Sequence, residues 1–122
     1  MKHLILVFIG GGLGSSLRYV LSKWLNSWVI FPLGTFTVNI LGSFIIGIIL
    51  GMASKEGSIS VSTSMFLATG FCGGFTTFST FSYENSIFLK SGDYLMFILY
   101  TTLSFTLGIL AVFGGMQIYK HL

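Results

Sequence analysis

Gly70-Phe-Cys-Gly-Gly-Phe-Thr-Thr-Phe-Ser-Thr-Phe81 lies inside an uncharged stretch running from Gly57 to Tyr83, long enough to cross a bilayer, yet its residues argue against a plain spanning helix. Gly73 and Gly74 weaken a helix, and the hydroxyls of Thr76, Thr77, Ser79 and Thr80 offer the backbone alternative hydrogen bonds. Irregular backbone at membrane depth survives only when buried in protein or lining a water-filled path. An interruption near 73–77 therefore predicts an ion or substrate site.

The rest of the chain supports a bilayer setting. Of 122 residues, 6 are Lys or Arg and 3 are Asp or Glu, 53% are apolar, and the mean hydropathy is +0.92. That excess of apolar surface exceeds what a soluble domain this short can bury. Trp24 to Ser54 and Tyr94 to Tyr119 are also free of charge, so each suffices for one crossing. A further span starts near Leu4 and contains Arg18 and Lys23. Its start mimics a secretory signal, but the apolar pattern resumes at Tyr19-Val20-Leu21, so we expect it to be retained.

The sequence thus predicts one transmembrane domain over 1–122, all-α, with spans at about 4–24, 33–53, 61–89 interrupted at 73–77, and 94–118. Pro32 suits the start of the second span, Lys55-Glu56-Gly57 its end, and Lys90-Ser91-Gly92-Asp93 the last turn. Lys2, Lys55 and Lys120 fall on one side and Lys23 and Lys90 on the other, a bias weak enough to predict insertion in both orientations. Four short helices fill their own interior, so a pore requires a second copy. Gly10/Gly14, Gly47/Gly51 and Gly70/Gly74 have the spacing of close helix packing, within a subunit or between subunits.

Several side chains are candidates for an ion path. Carbonyls released before the break are hard oxygen ligands suited to Na⁺, with a kink stitched by threonine hydroxyls as the bland alternative. Phe78 and Phe81 are spaced to share a helix face, and their positive ring edges suit a small anion, with Ser79 and Thr80 as nearby donors. Asn39 falls near mid-depth of the second span, as an interhelical clamp or a ligand. Thr35, Ser43, Tyr100 and Ser104 could extend the polar track. Arg18 would raise the potential at a pore mouth or snorkel beside Lys23, Trp24 and Trp28; Glu84 would sit at the interface or couple protons.

Other chemistry is excluded. Cys72 is the single cysteine and forms no metal-binding pattern. The scattered basic residues make no nucleic-acid surface. Gly10-Gly-Gly-Leu-Gly-Ser15 imitates a dinucleotide turn without the acidic residue that would hold ribose, and His3 and His121 have no nucleophile or carboxylate constellation around them. No catalytic set is found, and no enzymatic activity is expected.

Gly11-Gly-Leu-Gly with Arg18-Tyr19, Gly34-Thr-Phe-Thr-Val-Asn39 with Gly42, and Gly73-Gly-Phe-Thr-Thr-Phe-Ser-Thr-Phe-Ser-Tyr-Glu84 together resemble the fluoride channel (CrcB) family of small four-span membrane proteins. The resemblance implies an antiparallel, dual-topology dimer in the bacterial cell membrane that passes fluoride passively and lowers its cytoplasmic concentration. It implies a structural Na⁺ held by the carbonyls of Gly73 and Thr76. It also implies a fluoride path along Phe78, Phe81, Asn39, Ser79 and Thr80, continued by Tyr100 and Ser104, with Arg18 in a vestibule and Glu84 near an entrance. The chain departs from the pattern one turn beyond Ser104, at Gly108. Some members pair unlike chains, whereas the complete motif set here favours self-pairing. Two other classes compete with this one: a proton-coupled exporter of the small multidrug type, which needs a carboxylate deep in the first span, where none is found, and a non-conducting membrane subunit, which leaves the broken helix unexplained.

Overall fold

The computed structural model describes residues 1–26 and 30–121; Trp28, expected at the interface, lies outside them. Helix α1 (Lys2–Asn26) is followed by α2 (Leu33–Ala53). Helix α3 opens as Val61–Ser64, widens to a π-helix over Met65–Cys72 and closes with Gly73–Phe75. Then come α4 (Phe78–Ser91) and α5 (Tyr94–Lys120). The described chain is all-helical. Helices α1, α2 and α5 are each long and apolar enough to cross a membrane, and α3 with α4 supplies an interrupted segment between them.

Local chemistry sets the helix ends. Ser60 starts α3 by accepting the Thr63 N–H, Thr77 starts α4 by accepting the Thr80 N–H, and Asp93 starts α5 by accepting the Met96 N–H. Gly92, at φ 79°, takes the left-handed conformation that ends α4. Pro32 precedes α2 and has no side-chain donor or acceptor to cap it. The Asn26 Oδ1 does so, accepting the Gly34 N–H at 2.7 Å.

The interruption is narrower than the sequence suggests. Gly73, Gly74 and Phe75 stay helical, and only Thr76 (φ −89°, ψ 157°) and Thr77 (φ −149°, ψ 120°) are extended. The glycine at 74 serves packing instead: a Cβ there would strike the Gly11 carbonyl, and one at Gly14 would strike the Phe71 carbonyl. Backbone-to-backbone contact of this kind replaces hydrophobic burial as the source of adhesion in lipid. The second seam is similar, since a Cβ on Gly47 would strike the Val112 carbonyl and one on Gly115 the Phe44 carbonyl. All three glycine pairs noted in the sequence therefore pack within this chain. Large apolar side chains such as Phe8, Ile98, Leu110 and Phe113 remain exposed on α1 and α5, the surface that lipid or another helix covers.

Replacing Gly14 by Ala is expected to destabilise the fold by about 1–3 kcal/mol through overpacking. Gly12→Ala, which meets nothing within 4 Å, is the matched control. Thermal unfolding of the two variants in detergent checks this.

Candidate functional site: a clamped helix break between two cavities

The break is held open by one side chain. With Thr76 and Thr77 extended, the Thr77 N–H no longer reaches the carbonyl four residues back; it donates to Asn39 Oδ1 at 2.7 Å. Asn39 Nδ2 in turn donates to the Thr77 carbonyl at 3.1 Å. The asparagine thus pairs with a peptide unit as a neighbouring strand would, and of the two roles raised by the sequence it fills the clamp. Its Nδ2 keeps a second N–H beyond the clamp.

The other loose ends are tied selectively. Thr76 bonds twice to the Cys72 carbonyl, through its N–H at 3.0 Å and its hydroxyl at 2.9 Å. The Gly74 carbonyl, also deprived of a helical partner, accepts the Arg18 Nε–H at 2.9 Å. Arg18 therefore caps the negative end of α3 through its Nε–H. The Gly73 carbonyl has lost its i+4 partner to Asn39, and the Thr76 carbonyl precedes α4. These are the two carbonyls that the resemblance assigns to a cation.

Two cavities flank this knot. An open groove of about 520 Å³ is lined by Asn39, Ser43, Gly73, Thr76, Phe78, Phe81 and Ser104, among others. A smaller cavity of about 240 Å³ is lined by Arg18, Lys23, Thr35 and Thr80, with Tyr19, Ser22 and Asn26. Thr77 lines both. The expected path residues are thus divided between an aromatic groove and a cationic, hydroxyl-rich vestibule. The two phenylalanines share a face, with ring centroids 5.9 Å apart, but differ in setting: Phe78 is 72% exposed and Phe81 7%. Phe81 meets Phe105 edge-on at 5.9 Å and Tyr100 at 5.0 Å.

Three expected residues line neither of these two cavities. Ser79 is exposed, lines neither cavity, and its hydroxyl faces that of Thr77 at 3.2 Å. Tyr100 is fully buried and off the groove, because its hydroxyl donates to Glu84 Oε1 at 2.8 Å. Glu84 is half-buried, with its Oε2 accepting the Thr35 hydroxyl at 2.9 Å. It also lines a third cavity, of about 220 Å³, with Asn26, Phe31 and Phe88. Thr35 is therefore a carboxylate partner that also edges the vestibule. Ser43 lines the groove but spends its hydroxyl on the Asn39 carbonyl at 2.7 Å.

Sequence reasoning missed Asn26, Asn85 and Thr101. Asn26 caps α2 and borders two cavities. Asn85 is 6% exposed and continues the Phe78–Phe81 face by one turn, a signal available from spacing alone.

Polar groups tied around irregular backbone, between a cationic vestibule and an aromatic groove, define a multi-pass helical membrane protein of the conduit class. The sequence pattern of one family, described as "CrcB-like protein, Camphor Resistance (CrcB)", matches residues 5–116. This chain belongs to that CrcB-like family. It is 48% identical over 125 residues, covering 99% of each chain, to a fluoride-specific ion channel FluC of Gloeothece citriformis. It is 44% identical over 124 residues, the full length of both, to the FluC of Flavobacterium psychrophilum. To the FluC of Leptospira interrogans serovar copenhageni it is 43% identical over 122 residues, covering 98% of this chain and 96% of that one.

Replacing Asn39 by Leu leaves both polar groups of Thr77 without their partner, at an expected cost of about 1–3 kcal/mol each where they stay dry. Hydrogen exchange should then quicken locally across 73–81 while α5 stays protected, as mass spectrometry of peptides from the reconstituted protein would show.

Proposed function

We propose that this chain is a fluoride-selective channel that lets the ion run passively down its gradient and so lowers cytoplasmic fluoride. The observation that carries this reading is the near-full-length similarity to relatives named fluoride-specific ion channels. The geometry accounts for how such a chain would work. Fluoride is small and hard and holds water tightly, so a path must replace that water with donors and positive edges. The vestibule offers Arg18, Lys23 and the hydroxyls of Ser22, Thr77 and Thr80. The groove offers the ring edges of Phe78 and Phe81, the remaining N–H of Asn39, and Ser104. The guanidinium offsets the cost of bringing negative charge deep into the bundle.

The groove opens on the side of the bundle, which leaves half of a pore. A second copy laid antiparallel against it would close the groove, in line with the near-even split of lysines between the two sides. At that contact a Na⁺ fits the chemistry of the break. Carbonyl oxygens freed at the break are hard donors of the kind Na⁺ takes. Gly73 and Thr76 present two released carbonyls per chain, and two chains would present four hard oxygen ligands. The ion would supply fixed positive charge between the copies.

Liposomes containing this chain alone should release fluoride without a pH gradient and retain chloride, as a fluoride electrode would record. Phe81→Ile keeps bulk but removes the ring edge, and should slow efflux by at least about tenfold, or ~1.4 kcal/mol of barrier, while the dimer stays intact. Transfer from Na⁺ to a bulky organic cation should lower the thermal midpoint of the dimer in detergent. An unchanged midpoint would count against the carbonyl site.

A further inference from the structure

Of the three acids, Glu56 and Asp93 are exposed and only Glu84 is half-buried. Its two printed bonds come from neutral hydroxyls, Thr35 on Oε2 at 2.9 Å and Tyr100 on Oε1 at 2.8 Å. Hydroxyls orient a carboxylate without cancelling its charge, and each oxygen keeps a further lone pair. The cavity of about 220 Å³ that Glu84 borders has no Lys, Arg or His in its wall. A carboxylate drawn partly out of water favours a positive charge beside it, and here the protein supplies none from that side.

The rest of the wall is aromatic and aliphatic. Phe31 and Phe88 both border the cavity, and both rings stand nearly perpendicular to Tyr100, at 80° and 89°, with centroids 5.3 Å and 6.2 Å away. Phe31 is also braced edge-on by Phe36 at 5.4 Å. Two rings are thus set by the same tyrosine whose hydroxyl holds the carboxylate. Asn26 adds one oxygen, which accepts the Gly34 N–H and keeps a second lone pair. On the rim, Ile30 is 88% and Ile87 46% exposed, so the cavity opens outward.

We infer that this cavity binds a small organic ammonium, with Glu84 as its counter-charge and Phe31 and Phe88 as its aromatic walls. The inference goes beyond the fluoride-channel reading and stands without it. An anion is repelled by the carboxylate, and a divalent metal ion wants more oxygens than an aromatic wall supplies. An ammonium carrying carbon suits both halves, since its charge meets the carboxylate and its apolar side meets the rings. Glu84 lies about 10 Å below the end of α4 at Ser91, and Ile30 falls in the connection between α1 and α2. That depth is within reach of a lipid ethanolamine headgroup as well as of a free amine, which share this chemistry. Asn26 and Thr35 also border the cationic vestibule, so an occupant would cancel a negative charge next to it.

Titration calorimetry of the purified full chain in detergent with methylammonium chloride, at constant Na⁺, tests this. Saturable binding near one per chain is expected. Glu84→Gln, which keeps the side chain's size, should weaken it by at least about tenfold, and Phe88→Leu by about three- to fivefold. Native mass spectrometry after extraction from mixed phosphatidylethanolamine and phosphatidylglycerol distinguishes the sources. Phosphatidylethanolamine retained by the parent and lost from Glu84→Gln identifies the headgroup; methylammonium binding without lipid preference identifies a free amine. Parent protein that binds neither would overturn the site, as would affinities within about twofold of the parent in Glu84→Gln. Should Glu84→Gln not elute as the parent does, an unchanged affinity in Phe88→Leu overturns it instead. No fluoride enters these measurements, so their failure leaves the channel reading standing, and absent fluoride flux leaves this site standing.

Discussion

The pairing of Asn39 with the Thr77 peptide is the interaction on which the rest depends. A helix interrupted in an apolar medium exposes N–H and C=O groups that cost several kcal/mol each when left dry. Here the side-chain amide satisfies an N–H and a C=O at once, Thr76 returns to the Cys72 carbonyl, and Arg18 takes the Gly74 carbonyl. Each bond comes from a different direction, from α2, from α3 itself and from α1. The break is therefore a junction of helices, and moving any of them would disturb it.

That junction also explains why α3 is so glycine-rich without being broken at its glycines. Arg18 reaches the Gly74 carbonyl only if α1 lies close against α3. Gly10 and Gly14 on one side and Gly70 and Gly74 on the other bring the two backbones together. The π-helical stretch Met65–Cys72 belongs to the same contact: the Gly73 N–H reaches back five residues to the Ala68 carbonyl, turning the end of α3 relative to its start. Gly73 is thereby exposed on the groove while Gly70 is buried against α1.

Much of this was legible in the sequence, and the limits are physical. Charge-free stretches marked the spans because ionised groups are costly in lipid, and the threonine-rich run marked the break because its hydroxyls replace lost helical bonds. The exact place of the break was not legible, since Gly73 and Gly74 have low helix propensity but tertiary packing holds them helical. The acceptor of Arg18 was not legible either, since the Gly74 carbonyl, 56 residues away, is freed only once the helix is interrupted. The i,i+4 spacing of Tyr100 and Ser104 predicts one track. Their fates differ because Glu84, on a different helix, captures the tyrosine alone.

The division between committed and uncommitted groups follows from what an anion path must avoid as well as what it must offer. Carbonyl and carboxylate oxygens repel fluoride, so those near any route for it would need donors of their own. The Thr77 carbonyl has Asn39, the Gly74 carbonyl has Arg18, and both oxygens of Glu84 have hydroxyls. The released carbonyls of Gly73 and Thr76 lack a helical N–H, and a cation beside them would cancel their repulsion in the same way. With those acceptors answered, the one guanidinium among the described residues, Arg18, faces a small negative ion with less opposition from the oxygens around it.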